Sequence, residues 1–340
     1  MKNPDQISKA VYYRLSDIFE ISAIYGHGKS LIFRARPYID QDEAVGQMKK
    51  RLRKMGFTAS VREDMHGLLI SVAETPGVRV PVVNILLFLA TVATVYYFPS
   101  FETAAQRVEF TVALMSILVF HEFGHYLAGR RRGVFMSLPY FIPAPNFIGT
   151  FGALIKSQSP ITNRRDLIET GAAGPIAGFV IAVFALAIGL DNSRAIMADP
   201  AGYIQFGDSL LTKFLSWLLV DPVPAGHSLL LSPAASAGWV GLLVTMLNLL
   251  PLGQLDGGHI MYGLLGRKQH LLAVPFLAFM ILLGFWWPGW WFFGALVFIM
   301  RIRHPATLND GMEVPRSARI LGWTAVFIFI ICFIPVPFVF

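Results

Sequence analysis

Residues 110–129 read FTVALMSILVFHEFGHYLAG, and this stretch decides how the chain is built. Apolar side chains fill it almost end to end, which predicts a helix at membrane depth. His121, Glu122 and His125 stand inside it. Helix positions four apart are rotated by only about 40°, so the two imidazoles share a face. Two histidines so placed can grip one zinc ion, and the glutamate between them lies close enough to work on a water there. Ionisable groups in hydrocarbon are costly, which makes them functional candidates by default. The competing reading is a polar patch that merely binds neighbouring helices, and the same cost counts against it.

Composition agrees with a membrane setting. The 340 residues are 55% hydrophobic and 14% charged, with a mean hydropathy of +0.57. That predicts a polytopic α-helical membrane protein rather than a soluble one. The net charge of +7 then reports topology and calls for no nucleic-acid partner. The single cysteine, Cys332, allows neither an internal disulfide nor a cysteine metal cage. The chain opens on mostly polar residues rather than a secretory signal, so insertion is expected to be directed by internal helices.

Residues 1–79 read as a small cytoplasmic α+β domain, followed by a transmembrane domain over 80–340. In the first, Gln6–Ile21 is expected to be an amphipathic helix and Leu31–Arg36 a strand. Asp40–Met55 is expected to be a helix with Asp40 as N-cap, Glu43 completing a capping box and Gly56 ending it. Phe57–Glu63 and Leu68–Ala73 are expected to form a hairpin around residues 64–67. His27 and His66 read as turn or surface residues.

Seven transmembrane segments are expected, about Pro81–Phe98, Val108–Ala128, Leu167–Leu190, Leu229–Leu250, Leu271–Phe285, Trp290–Met300 and Ile320–Phe338. The fourth runs into a broken stretch to Gly266. If Leu271–Met300 were a single kinked helix, the count would be six. Alternating crossings place Arg130–Arg132, Arg164–Arg165, Arg267–Lys268 and the cluster from Arg301 to Arg319 on one side, with the N-terminal domain. That side is then cytoplasmic. His121, eight residues before Gly129, would lie about 12 Å along the helix from its cytoplasmic end. Trp286–Trp291 reads as an interfacial aromatic belt, and Gly174–Gly178 as a close helix contact of small residues.

Two histidines leave a catalytic zinc one protein ligand short. Residues 248–259, NLLPLGQLDGGH, carry the candidates. Pro251, Gly253, Gly257 and Gly258 interrupt an apolar helix there. Broken backbone at membrane depth is tolerated only inside protein or beside a polar cavity. Asp256 lies in the break and needs a partner. It is the favoured third ligand, with His259 as its rival. His259 would otherwise hydrogen-bond Asp256 or a substrate carbonyl. Asn248 would fix the broken backbone, hold a substrate amide, or simply bond a neighbouring helix.

The H-E-F-G-H run at 121–125, with the distant N-x-x-P-x-x-x-x-D-G-G-H at 248–259, resembles the site-2 protease family of intramembrane zinc metalloproteases. The likeness extends through Gly149–Ile155 and Gly171–Gly178, with a core of about 108–270. The run RHPATLND at 303–310, the last helix and the extended N-terminal domain are similar to the cyanobacterial and plastid branch. The resemblance implies zinc, His121 and His125 as ligands, Asp256 as the third and Glu122 as catalytic base. It also implies single-span membrane proteins as substrates. The segment 191–226 is too short for an inserted PDZ domain, and no CBS pair follows the last helix. A bacterial plasma membrane is the expected location. A metal transporter or a non-proteolytic chaperone is the alternative reading.

Residues 134–160, VFMSLPYFIPAPNFIGTFGALIKSQSP, are apolar but broken by Pro139, Pro143 and Pro145, so they cannot span as a helix. They are expected to form a membrane-associated β-hairpin. Its Phe151–Ile155 strand, with Gly152 and Ala153, would pair with an extended substrate through main-chain bonds. A covering loop that shields the site from lipid is the equal alternative.

Overall fold

The computed structural model describes residues 4–27, 30–64, 67–74, 81–158, 161, 163–197, 205–299, 304–307 and 309–339. Met65 and His66 of the expected hairpin turn, and Arg301 and Arg303 of the last basic cluster, lie outside the described residues. The chain forms two compact units, one built on residues 1–82 and the other on the remainder of the apolar chain.

In the first unit, α1 (Pro4–Leu15) and α2 (Gln41–Lys54) accompany four strands, β1 (Phe19–His27), β2 (Ser30–Pro37), β3 (Phe57–Asp64) and β4 (Gly67–Glu74). All pair antiparallel in the order β1-β2-β4-β3. The expected first helix is shorter than 6–21, because Phe19 onward pairs with β2 instead. Val11, Leu15, Phe33, Met48, Leu52 and Ile70 fill the core. Asp40 caps α2, accepting from the backbone N–H of Asp42 and Glu43 at 3.0 and 3.2 Å. The Glu43 carboxylate accepts from Gln47 at 3.1 Å, a bond it makes along its own helix.

This unit also takes in residues 129–138 and 155–161, so it is not one contiguous block. Ser60 on β3 donates to the Gly133 carbonyl at 3.1 Å, and Arg62 donates to Arg132. Ser137 N–H donates to Lys156 at 2.9 Å, and Gln158 N–H to Phe135 at 2.7 Å.

The second unit begins with α3 (Val82–Tyr97) and α4 (Ala104–Arg131), which carries the HEFGH run. A two-stranded sheet follows, β5 (Tyr140–Pro143) with β6 (Thr150–Leu154), antiparallel with Phe141 opposite Ala153. It lies along α3. Asn84 donates to the Pro139 carbonyl at 2.8 Å, and Phe88 meets Phe141 edge-on at 5.2 Å. Next comes α5 (Arg164–Asp191), whose N-cap Asn163 accepts from Asp166 N–H at 2.9 Å.

Residues 191–232 hold more structure than the expected loop: β7 (Arg194–Met197), β8 (Gln205–Phe206), α6 (Leu210–Leu219) and β9 (His227–Leu230). The expected fourth segment therefore starts late. Leu229 and Leu230 pair with β7, and α7 (Pro233–Asn248) begins where Ser232 accepts from Ala235 N–H and Pro233 needs no donor partner.

Beyond α7 the chain leaves helical geometry and resumes as α8 (Asp256–Leu265). A 3₁₀ turn (Gly266–Gln269), α9 (His270–Leu283), α10 (Gly289–Ile299) and α11 (Arg316–Cys332) follow. Leu271–Ile299 is thus two helices joined by a turn. The last helix stops before Pro335 and Pro337, whose missing N–H groups cannot extend it. The chain ends in β10 (Phe338–Val339), paired with β8.

Among the described residues, three helical stretches are long and apolar enough to cross a membrane: Ala104–Arg131, Arg164–Asp191 and Asp256–Leu283. The third is bent at Gly266, whose φ of 60° lies in the left-handed region. A 16-residue helix such as α3 or α7 rises about 24 Å, short of a core of about 30 Å. At the centre, α5 packs against α7, α8 and α11. The core joins Leu114 and Ile117 of α4 to Ala182 and Leu186, Trp239 and Met246, and Trp290 and Cys332. Trp290 belongs to that core rather than to an aromatic belt. It is fully buried and donates to the Pro335 carbonyl at 2.7 Å, whereas Trp286 is exposed.

Candidate metal centre

The site begins with the i, i+4 spacing on α4, which sets the His121 and His125 rings side by side. Their Nε2 atoms lie 3.2 Å apart. The break between α7 and α8 supplies the third group. Asp256 is the first residue of α8, and its Oδ2 stands 3.2 Å from His125 Nε2 and 3.5 Å from His121 Nε2. Among the described residues these three form the one group of His, Cys, Asp or Glu side chains able to hold a metal together.

The spacing can be tested against zinc. Ligand atoms about 2.0–2.1 Å from a tetrahedral ion sit roughly 3.3 Å from one another. The three distances bracket that value. The donor set, two imidazoles and one carboxylate, is one that zinc takes in hydrolytic sites. His125 is prepared for the role: its Nδ1–H donates to the Thr170 carbonyl at 2.8 Å, which leaves Nε2 as a lone pair facing the group. The residues fit the ion.

The centre is largely buried, with Asp256 its most open member, its side chain 18% exposed. His121 is 4% exposed and Glu122 5%. The Glu122 carboxylate has no hydrogen-bond partner among the described residues, so it is available to an incoming water. Asn248, last residue of α7, brings its amide nitrogen to 3.4 Å from His121 Nε2. The helix break therefore delivers two polar side chains to the site, one from each side of it.

His259 is placed differently. Its Nδ1 lies 2.6 Å from His304 Nε2, and the two rings meet edge-on. His304 Nδ1–H donates to the Pro305 carbonyl at 2.5 Å, so His304 Nε2 is the acceptor and His259 the donor. Burial holds His304 below the ordinary imidazole range, which keeps it neutral. Nearby, Tyr262 donates to Asp310 Oδ2 at 2.6 Å, and Thr307 donates to Oδ1 from its hydroxyl and its backbone N–H. Burial pushes Asp310 up, but the Thr307 and Tyr262 bonds outweigh it and hold the carboxyl below the usual range. Gly152 and Ala153 sit on β6 and are not part of the metal group.

Two features of α5 carry more than sequence reading gave them. The small residues at 174 and 178 read as a plain helix contact, yet they face the metal-ligand rings. A β-carbon on Gly174 would fall 2.1 Å from His125 Nε2, and one on Gly178 would fall 3.1 Å from His121 Nδ1. The signal was present as G-x-x-G-x-x-x-G at 171–178, whose positions share a face. Thr170 acts through its carbonyl and leaves no signal in side-chain chemistry.

A sequence model of peptidase family M50 matches residues 109–285, just over half of the chain. The chain is 30% identical over 257 residues to the probable zinc metalloprotease EGY2, chloroplastic, of Oryza sativa subsp. indica, covering 72% of this chain and 45% of that one. It is 31% identical to EGY2 of Arabidopsis thaliana, with 67% and 42% covered. To the probable zinc metalloprotease EGY1, chloroplastic, of Arabidopsis thaliana it is 32% identical, with 66% and 42% covered. The chain thus spans less than half the length of these relatives. No solved structure matches it.

Proposed function

The chain belongs to peptidase family M50, the site-2 protease family, and from that premise we propose that it is an intramembrane zinc metalloprotease. Its substrates are single-span membrane proteins, cut within or beside the bilayer. The observation that carries the reading is the approach of His121 Nε2, His125 Nε2 and Asp256 Oδ2 to 3.2–3.5 Å of one another.

When bound there, zinc supplies Lewis-acid chemistry, polarising a carbonyl and bringing the pKa of water from 15.7 to about 7. His121, His125 and Asp256 hold the ion, and the Thr170 carbonyl fixes the tautomer of His125. Glu122 takes a proton from the water that attacks the scissile carbonyl carbon. As the C–N bond breaks, Glu122 returns that proton to the leaving nitrogen. Asn248, whose amide nitrogen lies 3.4 Å from His121 Nε2, is proposed to donate to the carbonyl oxygen. The buried setting strengthens these charge interactions by keeping bulk water out.

The other edge of β6 has no strand partner among the described residues. An extended substrate segment is proposed to pair there. Two N–H groups are already committed: Gly152 donates to Thr150 Oγ1 at 2.9 Å, and Lys156 to Ser137 Oγ at 3.0 Å. Pairing therefore falls to the residues between them.

The chain is a membrane protein, and its proposed topology is seven crossings. Helices α7 and α8 make one of these jointly across their break, and the basic loops and N-terminal domain are cytoplasmic. The proposed location is a bacterial plasma membrane. The relatives' names say chloroplastic of those proteins, and fractionation with plastid membranes would replace that location. The transporter and chaperone readings are not supported by family membership.

The test is zinc content together with cleavage of a model transmembrane peptide. Wild-type protein is expected to bind one zinc, lose cleavage on chelation and regain it with zinc. Glu122→Gln is expected to bind zinc as tightly yet lose cleavage by at least about 100-fold, the low end for a general base. Wild-type turnover by that variant would remove the mechanism.

A further inference from the structure

The 304–310 segment lies beyond the residues matched by the family model, yet it is bonded to the helix that carries Asp256. We propose that His304 is a positioning residue for the metal centre: through His259, and through Tyr262–Asp310 one turn on, the 304–310 segment holds α8 where Asp256 faces His121 and His125. The inference rests on the zinc-site reading above.

Asp256 needs such support. It is the first residue of α8, and its neighbour Leu255 provides no side-chain cap. Residues 249–255 before it form bonded turns but no helix, so Asp256 has no preceding helical turn on its own axis. A carboxylate on the first residue of a ten-residue helix keeps its aim only as far as the whole helix is held in place.

His259, one turn after Asp256, bonds His304 at 2.6 Å. Tyr262, the next turn, lies tilted against His304 with ring centroids 4.7 Å apart and donates to Asp310 at 2.6 Å. Asp310 is itself held by Thr307. The segment is tied again at Asn309, which forms an isolated bridge with Asn163, the N-cap of α5. Leu264 of α8 packs into the small cluster of Ile168, Val314 and Ala318. Helix α5 also limits the motion: a β-carbon on Gly171 would stand 3.1 Å from that of His259. The helix is therefore held by α5 and by the 304–310 segment, and His304 is the side chain of that segment that bonds α8 one turn from Asp256.

Partners behind metal ligands cost about 10–100-fold in metal affinity when removed. In the purified full-length chain, zinc affinity is read by chelator competition, and the visible spectrum of the cobalt-substituted protein reads ligand geometry. His304→Ala is expected to bind zinc about 10–100-fold more weakly and to show an altered cobalt spectrum. His304→Gln, which keeps an acceptor, is expected to recover part of both. Tyr262→Phe is expected to shift both in the same direction by less, and together with His304→Gln it carries the test if His304→Ala does not fold. Wild-type affinity and an unchanged cobalt spectrum in His304→Ala would overturn the proposal. So would a drop in melting temperature of metal-free His304→Ala with zinc affinity intact, since that is a purely structural role. Wild-type protein that bound no zinc would instead sink the parent reading, and that is read before any variant is made.

Discussion

Gly174 on α5 and His125 on α4 approach so closely that a β-carbon at position 174 would lie 2.1 Å from the ring's Nε2. That nitrogen is the atom turned toward Asp256. The absence of a side chain at one position therefore sets where a candidate metal-ligating atom can stand on the neighbouring helix. The next small residue along the same face, Gly178, is less tightly placed, with 3.1 Å to His121, a close contact that a small shift can relieve.

This contrast gives a graded prediction. Gly174→Ala forces the His125 ring out of place, because the helix backbone behind residue 174 cannot retreat as a flexible chain end would. Zinc affinity is expected to fall by at least the 10–100-fold of a disturbed supporting residue. Gly178→Ala requires a shift of only a few tenths of an ångström and is expected to cost less than about tenfold, below that range. Equal affinities in the two variants, measured by chelator competition, would show that the close approach does not control the site.

The hairpin offers a second prediction, one that separates substrate handling from metal binding. Gly149, with φ of 86°, lies at the turn into β6, and a β-carbon there would stand 2.4 Å from the Cα of Val95 on α3. Gly149→Val meets both the left-handed backbone and a backbone obstacle, a local cost of about 1–3 kcal/mol. Cleavage of a transmembrane peptide is expected to fall about tenfold, the equivalent of 1.4 kcal/mol, while zinc affinity stays at the wild-type value. A matching loss of zinc would mean that the hairpin is part of the metal site's scaffold.

The N-terminal domain carries a pH-dependent contact. Arg51 Nη1 donates to Asp17 at 2.6 and 2.8 Å, and to the Arg14 carbonyl at 2.9 Å. The Arg51 hydrogen bond holds the Asp17 carboxyl below its ordinary value of 3.8. A depressed folded-state value favours the folded domain above the unfolded value, and that contribution is lost as pH falls through the folded one. The pair is exposed, so its share is small and salt-sensitive. Asp17→Asn is expected to flatten the acid side of the domain's stability profile, below about pH 4, the range where an ordinary aspartate protonates. A melting curve taken through that range, with an unchanged slope in the variant, would rule the pair out.

Much of the architecture was legible because its signals are local. Apolar run length marks helices, the four-residue spacing of His121 and His125 survives any tertiary arrangement, and Asp40 announces the start of α2 by its own hydrogen bonds. Elements that depend on a distant partner were not legible. Leu229 and Leu230 read as the start of a helix until β7 pairs with them, and β8 gains its partner only from β10 at the far end of the chain. Phe19–Ile21 read as the end of a helix, whereas pairing with β2 makes Phe19–His27 a strand.

The same division runs through the site. By itself the sequence determined the donor types and their local order: two imidazoles a helical turn apart, a carboxylate between them, and an aspartate at a helix break. These follow from helix geometry and from the cost of charge in hydrocarbon. Only the tertiary structure decided that Asp256 turns toward those imidazoles while His259, three residues later, turns to His304. Only it decided that Thr170 and Gly174 shape the ring of His125. Such choices depend on which backbone lies across the gap, and contact between residues far apart in sequence leaves little trace in the period or composition of either segment.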